Sequence, residues 1–345
     1  MGKAEDILSV LRGELRSGKY STDDRFPSEY SLMSRFDASR VTINKVTSQL
    51  VSEGFIKRGA RGAGTKVLHT SPFPVGHIAY IGPVAHAYCG RLMNGIQQVA
   101  FLKNYAVSFF CPDKELYAYL EKIRNSQFDG VLASTIGKIP QPFPFPVVYL
   151  DDAYPVDGII KSSVTCTNYI GAYKMAEEVI ARGHREIVVC ANDFGSSVSR
   201  MDRVRGFRDA MLQHNIPDTD KRIFREEPLV AQSGTASVRS ILRKFPDTTV
   251  IMTDSDDIAY VFYYALQDMK LPQQITVTGY GNIMHRHNFS RIASVEQHPE
   301  DIGAQGVTEL IRCLEDKNYV AEKVIEIETS LVHLEKIPYI KQQKG

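Results

Sequence analysis

Between Ser39 and Leu50 the chain places Arg40, Thr42, Asn44, Lys45, Ser48 and Gln49 outside a run whose apolar positions, Ile43, Val46 and Leu50, recur at i, i+3 and i+7. These side-chain types read base edges: Arg bridges guanine O6 and N7, Asn pairs with adenine N6 and N7, and Lys neutralises phosphate. Any amphipathic helix can carry such residues singly on its solvated face; a basic hairpin just after the run gives the set meaning. Phe55-Ile56-Lys57-Arg58 and Thr65-Lys66-Val67 read as that hairpin, closed by Gly59-Ala60-Arg61-Gly62-Ala63-Gly64. Its glycines strip bulk from the tip, and Arg61 carries charge suited to a minor groove. A nucleotide-cradling loop would need a helix after the glycines, and here a strand comes next.

Three helices must position this surface. From Glu5 to Arg16, Ile7, Leu8, Leu11 and Leu15 form one face, and Ser17-Gly18 ends the run. After a polar loop, Lys19–Arg25, Ser28 is placed to cap a second helix, with Glu29 favoured in its first turn. That helix buries Leu32, Met33 and Phe36 and ends near Asp37-Ala38. Ser39 caps the third, and the N-termini of the second and third offer free N–H groups to phosphate oxygens.

Charge is distributed in keeping with this. Residues 1–69 hold 12 basic and 8 acidic side chains, against 29 and 32 in the rest, so a basic head precedes a mildly acidic body. The 345 residues suffice for two or three domains. Five cysteines, at 89, 111, 166, 190 and 313, show no Cys-x-x-Cys spacing and sit in or near apolar segments, so buried free thiols in a reducing compartment are expected. The first residues lack an apolar signal region, no apolar run approaches about 18 residues, and a cytoplasmic location without membrane association is expected.

His69–Gly76 is a Pro-containing connector without helical periodicity. Beyond it, strand-like runs (His77–Ile81, Ala106–Cys111, Gly130–Ala133, Val147–Leu150, Ile159–Ser162) alternate with helical patterns at Arg91–Lys103 and Glu115–Arg124. A second series runs through Ile170–Ala181, Glu186–Ala191, Asp202–His214, Gly234–Phe245, Thr249–Thr253, Ile258–Met269 and Ile275–Thr278. Helix Glu300–Leu314 and strands near Val324–Glu328 and Leu331–Leu334 close it. Repeated βα units imply parallel sheets covered by helices, and two series imply two lobes with a ligand site in the cleft beyond the strand ends.

Leu15-x-Ser-Gly-Lys-Tyr20, Pro27-Ser-Glu29, Ser39-Arg-x-Thr42, Leu50-x-Ser-Glu-Gly-Phe-Ile56 and Gly62-x-Gly-Thr-x-Val67 resemble the winged-helix head of the GntR repressor family. The resemblance implies DNA contacts from Tyr30, Ser39, Arg40, Val41, Thr42, Asn44 and the Arg61-Gly62 tip, with Ser28 and Lys45 beside them. Tyr30 and Asn44 stand where that family often has Arg. Gly183-His-Arg-x-Ile187, Arg203-x-x-Gly-Phe-x-x-Ala-Met211, Asp254-Ser-Asp-x-x-Ala259, Val277-Thr-Gly-Tyr-Gly-Asn282 and Gln297-x-Pro-x-x-Ile-Gly303 resemble the LacI-type effector domain, related to periplasmic sugar-binding proteins. The combination is similar to the arabinose-repressor type of regulator.

The resemblance implies an α/β body of two doubly wound parallel-sheet lobes, type I periplasmic-binding-protein-like, behind a small α+β winged-helix domain. It divides the chain into residues 1–69, a linker at 70–76, and an effector and dimerisation domain at 77–340. The N-lobe is then about 77–165 plus 298–328, and the C-lobe about 166–297 plus 329–340. It implies a ligand-responsive repressor of carbohydrate-utilisation genes, a homodimer on a double-stranded operator, with a sugar or derivative held by Tyr88, Asp152, Ser197, Ser199, Arg203, Ser255, Asp256, Gly281 and Gln297. Arg203 leads, because an Arg fork holds two hydroxyls or an anion; its alternative is a helix-surface arginine, and that of Asp152 a loop-capping carboxylate. Gly281 replaces a usual Asp that grips ring hydroxyls, Ser255 a frequent Asn, and Cys166-Thr167 a frequent Asp, which keeps a non-sugar metabolite open. With no Trp, ring stacking would fall to Tyr88 or Tyr280.

Other chemistry finds little support. Asp254, Asp256 and Asp257 lack the histidines or further carboxylates of a metal set, His285, His287 and His298 share no ligand spacing, and Ser196-Ser197 lacks a nucleophile elbow. His184, in a helix-to-strand turn, reads as structural. No metal, cofactor or catalytic residue is expected, which argues against a sugar-metabolising enzyme; a secreted solute-binding protein is opposed by the DNA-type head.

Overall fold

Ile7, Leu11 and Leu15 line one face of α1 (Lys3–Arg16) and meet Leu32 of α2 (Glu29–Phe36) and Ile43, Val46 and Leu50 of α3 (Arg40–Ser52) in one buried cluster. Phe26, Phe55, Ile56 and Val67 complete it from a small antiparallel sheet of β1 (Arg25–Phe26), β2 (Ile56–Arg58) and β3 (Thr65–Val67), in the order β1-β3-β2. β1 falls where a plain loop was expected, because Phe26 needs the core and β3 offers it an edge. The wing closes on Gly59 N–H donating to Gly64 O at 2.8 Å, with Gly64 in the left-handed region at φ 77°.

This is a computed structural model, and it describes residues 3–60, 63–70, 73–112, 115–136, 139, 143–152, 162–192, 197–226, 234–283, 290–316, 318–319 and 324–340. Two compact units are present: residues 1–77 with 100–106, and 78–99 with 107–345.

The body runs β4 (Gly76–Ile81), α4 (Ala87–Leu102), β5 (Tyr105–Phe110), α5 (Leu116–Arg124), β6 (Gly130–Ser134), β7 (Val147–Leu150), β8 (Ser163–Cys166), α6 (Asn168–Ala181), β9 (Ile187–Asn192), α7 (Val198–Gln213) and β10 (Ile223–Glu226). It continues through α8 (Gly234–Lys244), β11 (Val250–Thr253), α9 (Asp256–Met269), β12 (Thr276–Tyr280), β13 (Ala293–Glu296), α10 (Pro299–Glu315), β14 (Val324–Ile327) and β15 (Ser330–Val332). One sheet has the order β14-β8-β7-β6-β4-β5 and the other β10-β9-β11-β12-β13-β15. β14, β8, β7, β6 and β4 pair in parallel, as do β10, β9, β11, β12 and β13, and the β13–β15 edge is antiparallel.

The chain passes between lobes after β8, after β13 and between β14 and β15. Two of these passages touch: Thr329 N–H donates to Thr167 Oγ1 at 3.0 Å. Within the first lobe, α4 and α10 meet through a glycine on each. A Cβ on Gly95 would overlap the Glu300 carbonyl, and one on Gly303 the Leu92 carbonyl.

Several boundaries differ from expectation. The strand expected at Ile159–Ser162 begins instead at Ser163, since Ser163 and Val164 pair with Tyr149 and Leu150; residues 159–161 lie outside the described residues. α7 starts at Val198 rather than Asp202 because a carboxylate distant in sequence, that of Asp152, caps it. Ser255 caps α9, accepting from Ile258 N–H at 3.5 Å and starting it at Asp256. Of the cysteines, 89, 166 and 190 are buried, but Cys111, just past the end of β5, is exposed and Cys313, in the last turn of α10, is half-buried.

Candidate DNA-reading surface and effector cleft

Ser28 Oγ accepts from Ser31 N–H at 3.1 Å and Ser39 Oγ from Thr42 N–H at 3.3 Å, so both helices of the head begin where their caps dictate. Tyr30 and Val41 are each 80% exposed, and Arg40, Asn44 and Lys45 also face solvent, at the starts of α2 and α3. Thr42 is half-buried, its hydroxyl 2.9 Å from that of Ser39. Arg61 and Gly62 lie outside the described residues.

The structure adds two residues that the pattern did not mark. Glu29 gathers Arg40 (3.9 Å), Arg58 (3.6 Å) and Asn44 (Nδ2 donating at 3.4 Å) around one carboxylate. Arg58, at the base of the wing, also donates to Thr47 at 3.0 Å and Ser48 at 3.1 Å, tying β2 to α3. The sequence signal was the charge of each; their meeting across α2, α3 and β2 is tertiary. Behind them Arg35 and Lys19 both bind Glu14, and the Arg35 hydrogen bond leads in holding the Glu14 carboxyl down at about 2.

In the body a cavity of about 480 Å³ lies between the lobes, lined by Tyr88, Asp152, Ser197, Ser199, Arg203, Ser255, Gly281 and Gln297. Asp256 is not among its walls. Its carboxylate turns into the second lobe, accepting from Ser294 Oγ at 2.6 Å and Ile283 N–H at 2.9 Å, and burial pushes its pKa up to about 6. Its neighbour Asp257 lines the cavity instead and meets His86 of the first lobe.

Arg203 is buried rather than a helix-surface arginine. Its Nε donates to Asn168 Oδ1 at 2.7 Å and Nη1 to the Asp254 carbonyl at 2.9 Å, and its guanidinium lies 4.1 Å from the Tyr280 ring centroid. Asp152 comes just after β7 of the first lobe and caps α7 of the second, accepting from Ser199 N–H at 3.0 Å and Ser197 Oγ at 3.2 Å. The capping role and the cavity position therefore coincide in one carboxylate. Beside it Asp151, in the left-handed region at φ 72°, accepts from Tyr88 OH and from Ser134 Oγ at 3.2 Å; burial raises its pKa to about 6. Gln297 Nε2 reaches Cys166 Sγ at 3.7 Å. His86, Ser134, Asp151, Arg200 and Asp257 were not singled out for the cleft; only the strand-end pair Asp151-Asp152 held a local hint.

His184 is a buried structural link, with Nδ1 2.9 Å from Thr249 Oγ1 and Nε2 2.9 Å from the Pro338 carbonyl. His285, His287 and Ser196 lie outside the described residues, among which no cluster of three metal-ligating side chains occurs and no helix is long and apolar enough to cross a membrane.

Residues 3–67 match the bacterial regulatory proteins of the gntR family, and residues 176–333 match the periplasmic binding protein-like domain. The chain is 24% identical to the HTH-type transcriptional repressor PurR of Serratia proteamaculans, over 86% of this chain and 93% of that one. It is 23% identical to the arabinose metabolism transcriptional repressor of Halalkalibacterium halodurans, over 98% and 97%. Among solved structures, transcription regulator CcpA of Lactococcus lactis superposes with a TM-score of 0.65 at 19% identity, covering 74% of this chain and 97% of that one. A LacI family regulator from Enterococcus faecium with bound ribose gives 0.66 at 16%, covering 77% and 100%. The chain thus joins a GntR-type helix-turn-helix domain to a periplasmic-binding-protein-like domain with the type I fold seen in solved LacI family regulators.

Proposed function

We propose that this chain is a cytoplasmic, homodimeric transcription regulator, a repressor of carbohydrate-utilisation genes, whose operator affinity changes when a small effector fills the cleft. The observation that carries the reading is the pairing, in one chain, of a capped helix pair presenting exposed Tyr30, Arg40, Val41 and Asn44 with a cavity lined from both lobes and carrying Asp152, Arg203 and Gln297. The first surface suits a major groove, and the second suits a small polar ligand. The relatives named as repressors support the direction of control, and the arabinose repressor and the ribose-bound regulator support a sugar-like effector. On this reading Ser28 and Ser39 present backbone N–H groups to phosphate while Arg40, Thr42, Asn44, Lys45 and the Arg61-Gly62 tip address the grooves. The two-lobed body, residues 77–340, holds the effector. A domain boundary at the 70–76 connector belongs to the same proposal.

The test is selection of a random duplex pool on the full chain, with subsequent gel shifts against a panel of sugars and sugar derivatives. Recovery of an inverted repeat, released or tightened by one compound, is expected. A pool that stays unenriched would remove the DNA-reading function. Turnover of a binding compound would favour an enzyme instead.

A further inference from the structure

The acidic groups that face the cleft have partners within the protein. Asp151 accepts from Tyr88 and Ser134, Asp152 from Ser197 and Ser199, and Asp257 pairs with His86. Arg203 differs. It is 7% exposed and cannot shed its proton, yet it forms no ion pair within 4.0 Å among the described residues. What holds it is neutral: an amide oxygen, a backbone carbonyl and the face of Tyr280. The carboxylates of Asp151 and Asp254 act on it only from longer range. Two of its three nitrogens are committed, and Nη2 has no hydrogen bond to a described residue while the side chain lines the cavity. A buried cation whose direct contacts are all neutral, with carboxylates only at longer range, is well placed to take a charged partner in the cavity.

We propose that the effector carries an oxyanion, a carboxylate or a phosphate, which supplies the counter-charge missing at Nη2 of Arg203. The proposal rests on the reading of the cleft as the effector site and narrows it to anionic metabolites such as sugar acids or sugar phosphates. The residue after Tyr280, which also lines the cavity, leaves room for it. Gly281, at φ 130°, brings no side chain, and a Cβ built there meets only ordinary contacts at 3.5 Å from Gln297 and 3.6 Å from Ile283. The position therefore adds neither bulk nor charge against an anion.

The experiment monitors the unfolding midpoint of the full chain titrated with glucose, gluconate, glucose 6-phosphate, acetate and inorganic phosphate at constant ionic strength; binding to the folded state alone raises the midpoint. Gluconate or glucose 6-phosphate is expected to bind at least tenfold tighter than glucose, and whichever leads separates carboxylate from phosphate. Arg203→Gln, with folding checked by circular dichroism, should abolish that preference, and Arg203→Lys should keep it. The proposal is overturned if no anion shifts the wild type, if glucose equals its anionic forms, or if Arg203→Gln responds as the wild type does. Arg203-dependent binding of glucose would overturn the anion while leaving the cleft as the effector site. Anion binding untouched by both Arg203→Gln and Gln297→Ala would remove the cleft reading itself.

Discussion

His86 and Asp257 meet across the cleft. Nε2 of the first, in the loop between β4 and α4, lies 2.9 Å from a carboxylate oxygen of the second, in the first turn of α9. The Asp257 hydrogen bond leads in raising the His86 pKa, against partial burial and the nearby Arg200 charge, with Asp256 adding a smaller pull upward. The same bond leads in lowering the Asp257 pKa. The pair joins one lobe to the other, and the link is strongest while His86 is protonated.

A raised folded pKa fixes the sign of the pH dependence: the pair stabilises fully below the free histidine value, about 6.5, and that contribution is lost as pH rises through the raised value. The wild-type unfolding midpoint should therefore fall more steeply above pH 6.5 than that of His86→Gln. Parallel profiles would show that ionisation of the pair contributes nothing to stability.

In the head, Arg40→Ala should weaken binding to the selected operator by about 1–3 kcal/mol and relax preference at one base position. A control duplex lacking the repeat should be affected far less. Gel shifts across single-base operator variants measure this directly, and a uniform loss over all variants would reassign Arg40 to the phosphates.

Glu14 gives the head an acid limit. Its depressed pKa means that its bonds to Arg35 and Lys19 stabilise fully above the free carboxyl value, near 4.5, and are lost as pH falls toward about 2. With solvent screening, Glu14→Gln should cost the N-terminal unit about 1 kcal/mol at pH 7. At pH 2 the two proteins should converge in denaturant titrations.

Gly95→Ala should be among the most damaging single-methyl additions in the body. The new Cβ strikes backbone, the Glu300 carbonyl on α10, which cannot rotate away as a side chain could. A loss of about 1–3 kcal/mol, or an insoluble product, is expected. Gly90→Ala, on the same helix with open space around it, is the matched control.

The architecture was legible because hydrophobic periodicity is local: Ile7, Leu11 and Leu15 mark α1, and short apolar runs mark the buried strands. Ser28 and Ser39 were equally visible, since a cap bonds within three residues. The cleft was harder. Arg203 could be carried over from a motif, but its neutral contacts come from Asn168, Asp254 and Tyr280, which lie far apart in sequence. Asp256 and Asp257 differ by one helical step, about 100° around α9, and periodicity alone could not choose which faces the cavity. α7 began early for a similar reason: its N-terminal partner, Asp152, belongs to the other lobe.

Glu29 carries a thermodynamic consequence. In the free head it already serves as counterion to Arg40 and Arg58, so part of their charge is neutralised before any nucleic acid arrives. Docking would exchange this internal carboxylate for phosphates, and fewer mobile salt ions would be displaced than the number of basic groups suggests. Operator affinity should then decline with ionic strength more gently than a count of arginines and lysines implies, leaving more of the binding to base-edge recognition.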